Sequence, residues 1–260
     1  VTLPIARPDP ERLVRIQKLL EKLVLDSISA ARPWRASDSF YCLGLDAAYS
    51  RRYGGVGAAV LLDTRLKLLD KEISLGEPNI PYIPGLLAFR EAPLFYAALY
   101  PLMARHSYKR HNMVIFVDGH GVSHPRRTGI ASHIGLALGL PSIGVAKKRL
   151  YGREVVTEKT CNEPPCIIGY LEGDDGNKLA AIIRTYTGSR IYVSPGAYIR
   201  LEDAVELALT CLRHRPLPEP TYQADKLSKR IARSLDRGTI RPADLKHGLK
   251  GLLVGDSSTH

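Results

Sequence analysis

The chain is predicted to fold as an α/β protein, with helices flanking a central β-sheet of mixed direction. Three observations predict this. Segments 40–45, 55–63 and 66–75 are short, apolar or alternating, and separated by tight turns, as antiparallel neighbours should be. Two further apolar runs, Met113–Val117 and Ser142–Val145, are separated by a helical pattern, the spacing of a parallel crossover. Hydrophobic residues make up 45% of the 260-residue chain, enough for a substantial core.

Taken in order, Pro10–Ser29 carries Leu13, Ile16, Leu20, Leu23 and Val24 on one stripe and is read as an amphipathic helix. The strand Phe40–Leu45 runs into Asp46 at its carboxyl end, and Asp63-Thr64-Arg65 turns the next two strands. Pro78–Gly85 is a Pro-rich loop. A helix should follow from Leu86 towards Arg105, with Pro93 in its first turns or marking a kink. Met113–Val117, apolar throughout, suits a strand buried on both faces and ends at Asp118. Thr128–Leu138 is the next helix, stopped by Gly139 and Pro141. Leu179–Ile183 and Arg190–Val193 read as a hairpin around Gly188. Leu201–Leu212 is periodic over its whole length, and Thr221 should cap a helix ending near Leu235. No repeat or long linker forces a boundary, so residues 1–260 are read as one domain, with a basic tail from about 237 expected to fray.

The charge balance narrows the function. Thirty-seven Lys+Arg against 26 Asp+Glu give +11, which favours a polyanionic partner. From Ala104 to Arg153 there are nine Lys/Arg, five His and a single acid, Asp118. A carboxylate in a basic stretch is placed for chemistry, although a solvated basic face would have the same composition. Asp46 and Asp118 end two strands that can be neighbours, and open sheets bind ligands at such ends. Crowded carboxylates resist ionising together unless a cation joins them, and Mg²⁺ or Mn²⁺ suits oxygen ligands. Glu91 is the leading third carboxylate. From spacing alone each of these acids is a surface or capping group as often as a ligand. No apolar run of about 20 residues offers a membrane span, and no signal-peptide pattern is present, so the expectation is a cytoplasmic protein. Cys161 and Cys166 lack the second pair a zinc site needs. Two free thiols are expected there, with a local bridge as the alternative.

Five blocks carry a resemblance. They are Gly44-Leu45-Asp46-Ala47-Ala48-Tyr49, the run from Pro81-Tyr82-Ile83-Pro84-Gly85 to Glu91, and Val117-Asp118-Gly119-His120-Gly121 continued to His133. Gly144-Val145-Ala146-Lys147-Lys148-Arg149-Leu150 is the fourth, and Leu217-Pro218-Glu219-Pro220-Thr221 with Ala224-Asp225 the fifth. In order and spacing, from about residue 10 to 235, the sequence resembles the endonuclease V family, whose members cut nucleic acid beside a deaminated purine.

That resemblance implies a ribonuclease H-like fold and a Mg²⁺ cofactor, with Mn²⁺ as substitute, held by Asp46, Glu91 and Asp118. Tyr82 matches the wedge that fills the gap left by a flipped base, a role suited to an aromatic ring on a stiff loop. Gly85, Leu87, Gly119, Gly121, Ile130, Gly144, Ala146 and Leu150 match the family's lesion pocket. Lys147 matches a lysine near the scissile phosphate. His124 matches a histidine contacting the nucleic acid or a water on the metal, while Arg126, Arg127 and Lys148 are candidate phosphate contacts; Arg127 could equally pair with a nearby acid. The implied partner is DNA containing deoxyinosine, or inosine-containing RNA, bound by a monomer and cut at the second phosphodiester bond 3′ of the lesion. Two positions depart from the pattern: His120 stands where relatives often carry an amide, and Ala197 where many carry a histidine after Pro-Gly. If that histidine supports the metal elsewhere, metal affinity here is in question. Another ribonuclease H-like nuclease, which needs the carboxylates but not the wedge loop Pro81–Gly85, is one alternative; a binding module without catalysis, which has no reason to keep Asp46, Glu91 and Asp118 together, is the other.

Overall fold

The computed structural model describes residues 8–34, 40–156, 161 and 163–245. Most of the basic tail expected from about 237 lies outside the described residues. Helix α1 (Pro10–Ser29) opens the chain, with the Asp9 carboxylate accepting from the Glu11 amide as its N-cap and Pro10 at its first position. Strands β1 (Tyr41–Ser50), β2 (Gly54–Leu62) and β3 (Leu68–Gly76) form an antiparallel meander. Helix α2 (Leu87–Arg105) carries the chain back to β4 (Met113–Asp118), and α3 (Ile130–Leu138) carries it on to β5 (Ser142–Ala146). The sheet is completed by β6 (Arg153–Val156), β7 (Cys166–Glu172), β8 (Lys178–Arg184) and β9 (Arg190–Ala197), before α4 (Leu201–Thr210), α5 (Glu219–Arg237) and the short α6 (Pro242–Leu245).

The nine strands lie in the order β3-β2-β1-β4-β5-β9-β8-β7-β6. Strands β1, β4 and β5 are parallel to one another, and the rest of the ladder is antiparallel. The 3-2-1-4-5 core with β2 reversed is the expected ribonuclease H-like mixed sheet. Strand pleat divides its core. Cys42, Val56, Val60, Val114 and Phe116 face α4 and α5, whereas Leu43, Leu45, Leu61, Ile115 and Val117 face α2 and α3. Both faces are apolar because both are covered by helices.

Several boundaries differ from the sequence reading. Strand β1 runs four residues past Asp46, because its far half still pairs with β2 after β4 has ended, so Asp46 is interior rather than terminal. Helix α5 starts at Glu219, ahead of Thr221, whose hydroxyl donates back to the Pro218 carbonyl (2.9 Å) instead of capping. Pro93 and Pro101 both lie inside α2. Strands β6 and β7 escaped the sequence reading altogether. Cys161 and Cys166 form a disulfide, with Cα atoms 5.6 Å apart, where free thiols were the expectation; Cys42 and Cys211 are the buried free thiols among the described residues.

Candidate active site

The β1–β4 register pairs Leu45 with Val117, which sets Asp46 and Asp118 side by side on the next step. Both belong to the sheet face covered by α5. That helix packs along β1 and brings in Asp225, so that carboxylate oxygens of Asp46, Asp118 and Asp225 all lie within 4.8 Å of one another. Ser228, one turn further along α5, donates a short hydrogen bond to Asp46.

The electrostatics of this trio are those of a cation site. Asp46 is buried, and burial together with the neighbouring Asp118 charge pushes its pKa well above the usual carboxylate range, despite the opposing Ser228 bond. Lys147, at the start of the loop leaving β5, donates to Asp118 (2.5 Å) and Asp225 (2.6 Å). Burial alone would lower the Lys147 pKa, but the two carboxylates outweigh it and hold the ammonium charged. Asp225 is also gripped by Lys229 at 2.7 Å, and its two lysines depress its pKa against the effect of burial. Three acids with one of them reluctant to ionise are short of positive charge, and an all-oxygen donor set fits a hard divalent ion. The three residues could hold a metal ion.

Glu91 does not join that trio. It projects from α2, on the opposite face of the sheet, and accepts a bond from the Tyr49 hydroxyl at 3.1 Å. Burial raises its pKa to about 7, helped by the Asp118 charge and opposed by the Tyr49 bond. Arg90 reinforces the cluster by donating to the Tyr49 oxygen at 2.9 Å.

Beside the acids opens a pocket of about 440 Å³, which shares Asp118 and Lys147 with them. Gly85, Leu87, Gly119, Ile130, Ala146 and Leu150 line it, as do His120, His124 and Lys148. Tyr82 stands at its mouth with 67% of its surface exposed. Gly121 and Gly144 do not line it. A Cβ on Gly144 would come within 2.4 Å of the Gly121 nitrogen, and one on Gly121 within 2.0 Å of the Pro195 carbonyl oxygen, so these two glycines let the loop after β4 lie flat on β5 and β9.

The wedge loop is anchored at Gly85, whose φ of +81° favours glycine. Its carbonyl accepts three bonds: from Gln17 Nε2 (3.0 Å), His124 Nε2 (2.9 Å) and Arg126 Nη2 (2.9 Å). Gln17 is fully buried, also donates to the Thr128 carbonyl (3.2 Å), and accepts from Arg126 Nε (2.7 Å). His124 is therefore a buried loop anchor that borders the pocket, and burial lowers its pKa to about 4 even though its bond to Gly85 works the other way. Arg126 points inward for the same reason. Arg127 is buried and donates to Asp175 at 2.9 Å, its acid-pairing alternative. Of the three cations expected to meet phosphate, Lys148 alone is free at the pocket rim. Ala197 pairs with Ser142 at the start of β5, whereas Asp118 pairs with Val145 near its end. Ala197 is thus set three β5 positions back from the residue that pairs with Asp118.

A family model described as Endonuclease V matches residues 25–226. The chain belongs to the Endonuclease V family. It is accordingly an endonuclease, a hydrolase of phosphodiester bonds. Endonuclease V of Desulfurococcus amylolyticus is 44% identical over 230 residues, covering 85% of this chain and 94% of its own. That of Thermosipho melanesiensis is 34% identical over 230 residues, with 87% and 93% covered. Among solved structures, the catalytic domain of human Endonuclease V superposes with a TM-score of 0.72 at 28% identity, covering 87% of this chain and 99% of that one. A Ciona intestinalis Endonuclease V in complex with a 24mer DNA containing an inosine followed by a ribo-adenosine gives 0.70 at 26%, covering 86% and 99%.

Sequence reasoning missed Asp225 as part of the acidic trio, although a signal was available. From Pro220 to Arg237 five Lys/Arg accompany only Asp225 and Asp236. An isolated acid among cations had already singled out Asp118. Gln17 gave no signal, since a glutamine on an amphipathic helix is ordinarily solvated. It also lies outside the residues that the family model matches.

Proposed function

We propose that this endonuclease recognises a deaminated purine, hypoxanthine, in a nucleic-acid strand and hydrolyses the second phosphodiester bond on its 3′ side, leaving a 3′-hydroxyl and a 5′-phosphate. The observation that carries the reading is the shared wall: one pocket large enough for a purine borders Asp118 and Lys147 of the acidic cluster, with an exposed tyrosine at its mouth. A base turned out of the stack would enter that pocket, and Tyr82 would occupy the gap it leaves. Ciona Endonuclease V, bound to inosine-containing DNA, supports the substrate class. We take the chain to act as a monomer and as a single domain, its nine strands forming one sheet.

Asp46, Asp118 and Asp225 would hold Mg²⁺, or Mn²⁺ in its place, with Glu91 at the margin of the site. When bound, the ion supplies charge for the phosphoryl oxygens and lowers the pKa of the attacking water. The chain's own residues do the rest. Lys147 places an ammonium where negative charge develops on the reacting phosphate. Lys148 meets the backbone at the rim. His124 and Arg126 hold Gly85, and through it the wedge loop, while Gly119 and Ala146 line the pocket the base would enter. Hypoxanthine has a carbonyl oxygen where adenine has an amino group, so a backbone N–H aimed there favours one and is opposed by the other.

A strand with a single deoxyinosine, incubated with Mg²⁺ beside its adenine counterpart, tests the reading. One cut, two bonds 3′ of the inosine and absent without metal, is expected; cleavage indifferent to the base would refute it. A riboinosine strand run in parallel decides whether RNA is the preferred substrate.

A further inference from the structure

The exposed face of α5 carries charge that the active site does not use. Lys226, Lys229, Arg230, Arg233 and Arg237 border a groove along the helix that begins at Tyr222 and Asp225. They recur at intervals of three or four residues, so they form one stripe, opposite the apolar face (Leu227, Ile231, Leu235) that covers the sheet. Lys229 pairs with Asp225. Lys226, Arg230, Arg233 and Arg237 have no ion pair among the described residues. Lys71 of β3 lines a separate small pocket that shares Lys226 and Arg230 with the groove, and burial together with the Arg230 charge lowers its pKa.

Such an arrangement opposes folding. Like charges three or four apart on a helix repel. Three i,i+4 pairs of this kind occur here, Lys226–Arg230, Lys229–Arg233 and Arg233–Arg237. The stripe adds no packing that neutral polar residues would lack. An external polyanion accounts for it. One end of the stripe is fixed by Asp225 at the acidic trio, and the other, at Arg237, lies about 18 Å away at 1.5 Å per residue. That span accommodates about three to five phosphates of one strand. The lesion pocket lies on the opposite side of the trio, against α2 and the loop after β4.

We infer that the α5 groove is a strand-binding track for the nucleotides 3′ of the cut, the side that leaves with the 5′-phosphate. This rests on the proposed 3′ cleavage. A strand with its lesion in the pocket and its reacting phosphate at the trio must continue past Asp225, and the groove is the basic surface that begins there. The contacts are to backbone phosphate and carry no sequence preference.

The test uses the full chain and the variant R230Q/R233Q/R237Q, none of whose positions belongs to the pocket or the trio. Binding is measured in calcium on inosine strands whose 3′ flank grows from about two to about ten nucleotides, and on a matched series lengthened on the 5′ side. Wild type should gain about tenfold or more in affinity as the 3′ flank grows. The variant should lose most of that gain, keep its response to the 5′ flank, and show a salt slope shallower by about two to three, at 0.7–0.9 per phosphate contact. Thermal melting at or above the wild-type temperature verifies that the variant is folded. Equal 3′-flank gains in the two proteins would overturn the track, and so would a loss confined to the 5′ series. The same strands, cut in magnesium and sized, report separately on the parent reading: a cut elsewhere than 3′ of the inosine would refute that reading whatever the flank series shows.

Discussion

Replacing Gln17 by leucine isolates what α1 contributes to lesion recognition. The side chains are close in size, so the substitution removes polar contacts more than volume. Three hydrogen bonds go: to the Gly85 carbonyl, to the Thr128 carbonyl, and from Arg126 Nε. Gly85 keeps His124 and Arg126 as donors, so its carbonyl is not orphaned. Thr128 loses the Gln17 donor, a cost of about 1 kcal/mol, and Arg126 Nε loses a charged bond that would cost about 1.5–3 kcal/mol if fully buried. Arg126 is partly exposed and water recovers some of that, so the sum is about 2–3 kcal/mol. For a chain of this size that corresponds to a fall in melting temperature of roughly 4–12 °C by calorimetry. Affinity for an inosine strand should drop further than affinity for an undamaged one, because Gly85 ends the loop that presents Tyr82. A loss under about 1 kcal/mol with an unchanged affinity ratio would show that His124 and Arg126 hold the loop alone.

Three further outcomes are expected. Asp225→Ala, like Asp118→Ala, should lower cutting by several orders of magnitude while inosine-strand binding persists in calcium; near-normal cutting by Asp225→Ala would remove that residue from the ion site. Tyr82→Ala should weaken inosine binding about tenfold and spare undamaged strands, with Tyr82→Phe close to wild type, since stacking is worth roughly 1–3 kcal/mol and the ring supplies it. The imidazoles of His120, His124 and His133 should each titrate near 4 by NMR, burial being the main cause. Because those folded values lie below the unfolded 6.5, the unfolded chain binds more protons between pH 6.5 and 4, and each histidine withdraws stability as pH falls through that window. The raised acids Asp46 and Glu91 act in the opposite sense, so the net slope is shallower than three protons would give. An imidazole titrating near 6.5 would show that its ring is solvated.

The sequence by itself determined the elements with strong periodicity and the blocks with family spacing. The bounds of α1, the apolar β4 and the crossover to β5 were legible because burial on one face or both leaves a repeat in the chain. Asp46 and Asp118, which meet in the acidic trio, and Tyr82, which borders the pocket, were picked out by motif position. Short strands β6 and β7 were not, because β6 is partly exposed and β7 is interrupted by register shifts, so neither keeps a clean alternation. What only the tertiary structure decided is which groups share space. Asp225 meets Asp46 because α5 lies along β1, a contact between residues 179 positions apart (225 less 46) that no local pattern encodes. Glu91 stands off because α2 covers the opposite face of the sheet. Arg126 and Arg127 are candidate phosphate contacts in the sequence, Arg127 with an acid partner as its alternative, and the fold gives Arg126 the Gly85 carbonyl and Arg127 the Asp175 carboxylate. A local repeat records how much of a side chain is buried, whereas the partner it meets depends on how distant elements pack.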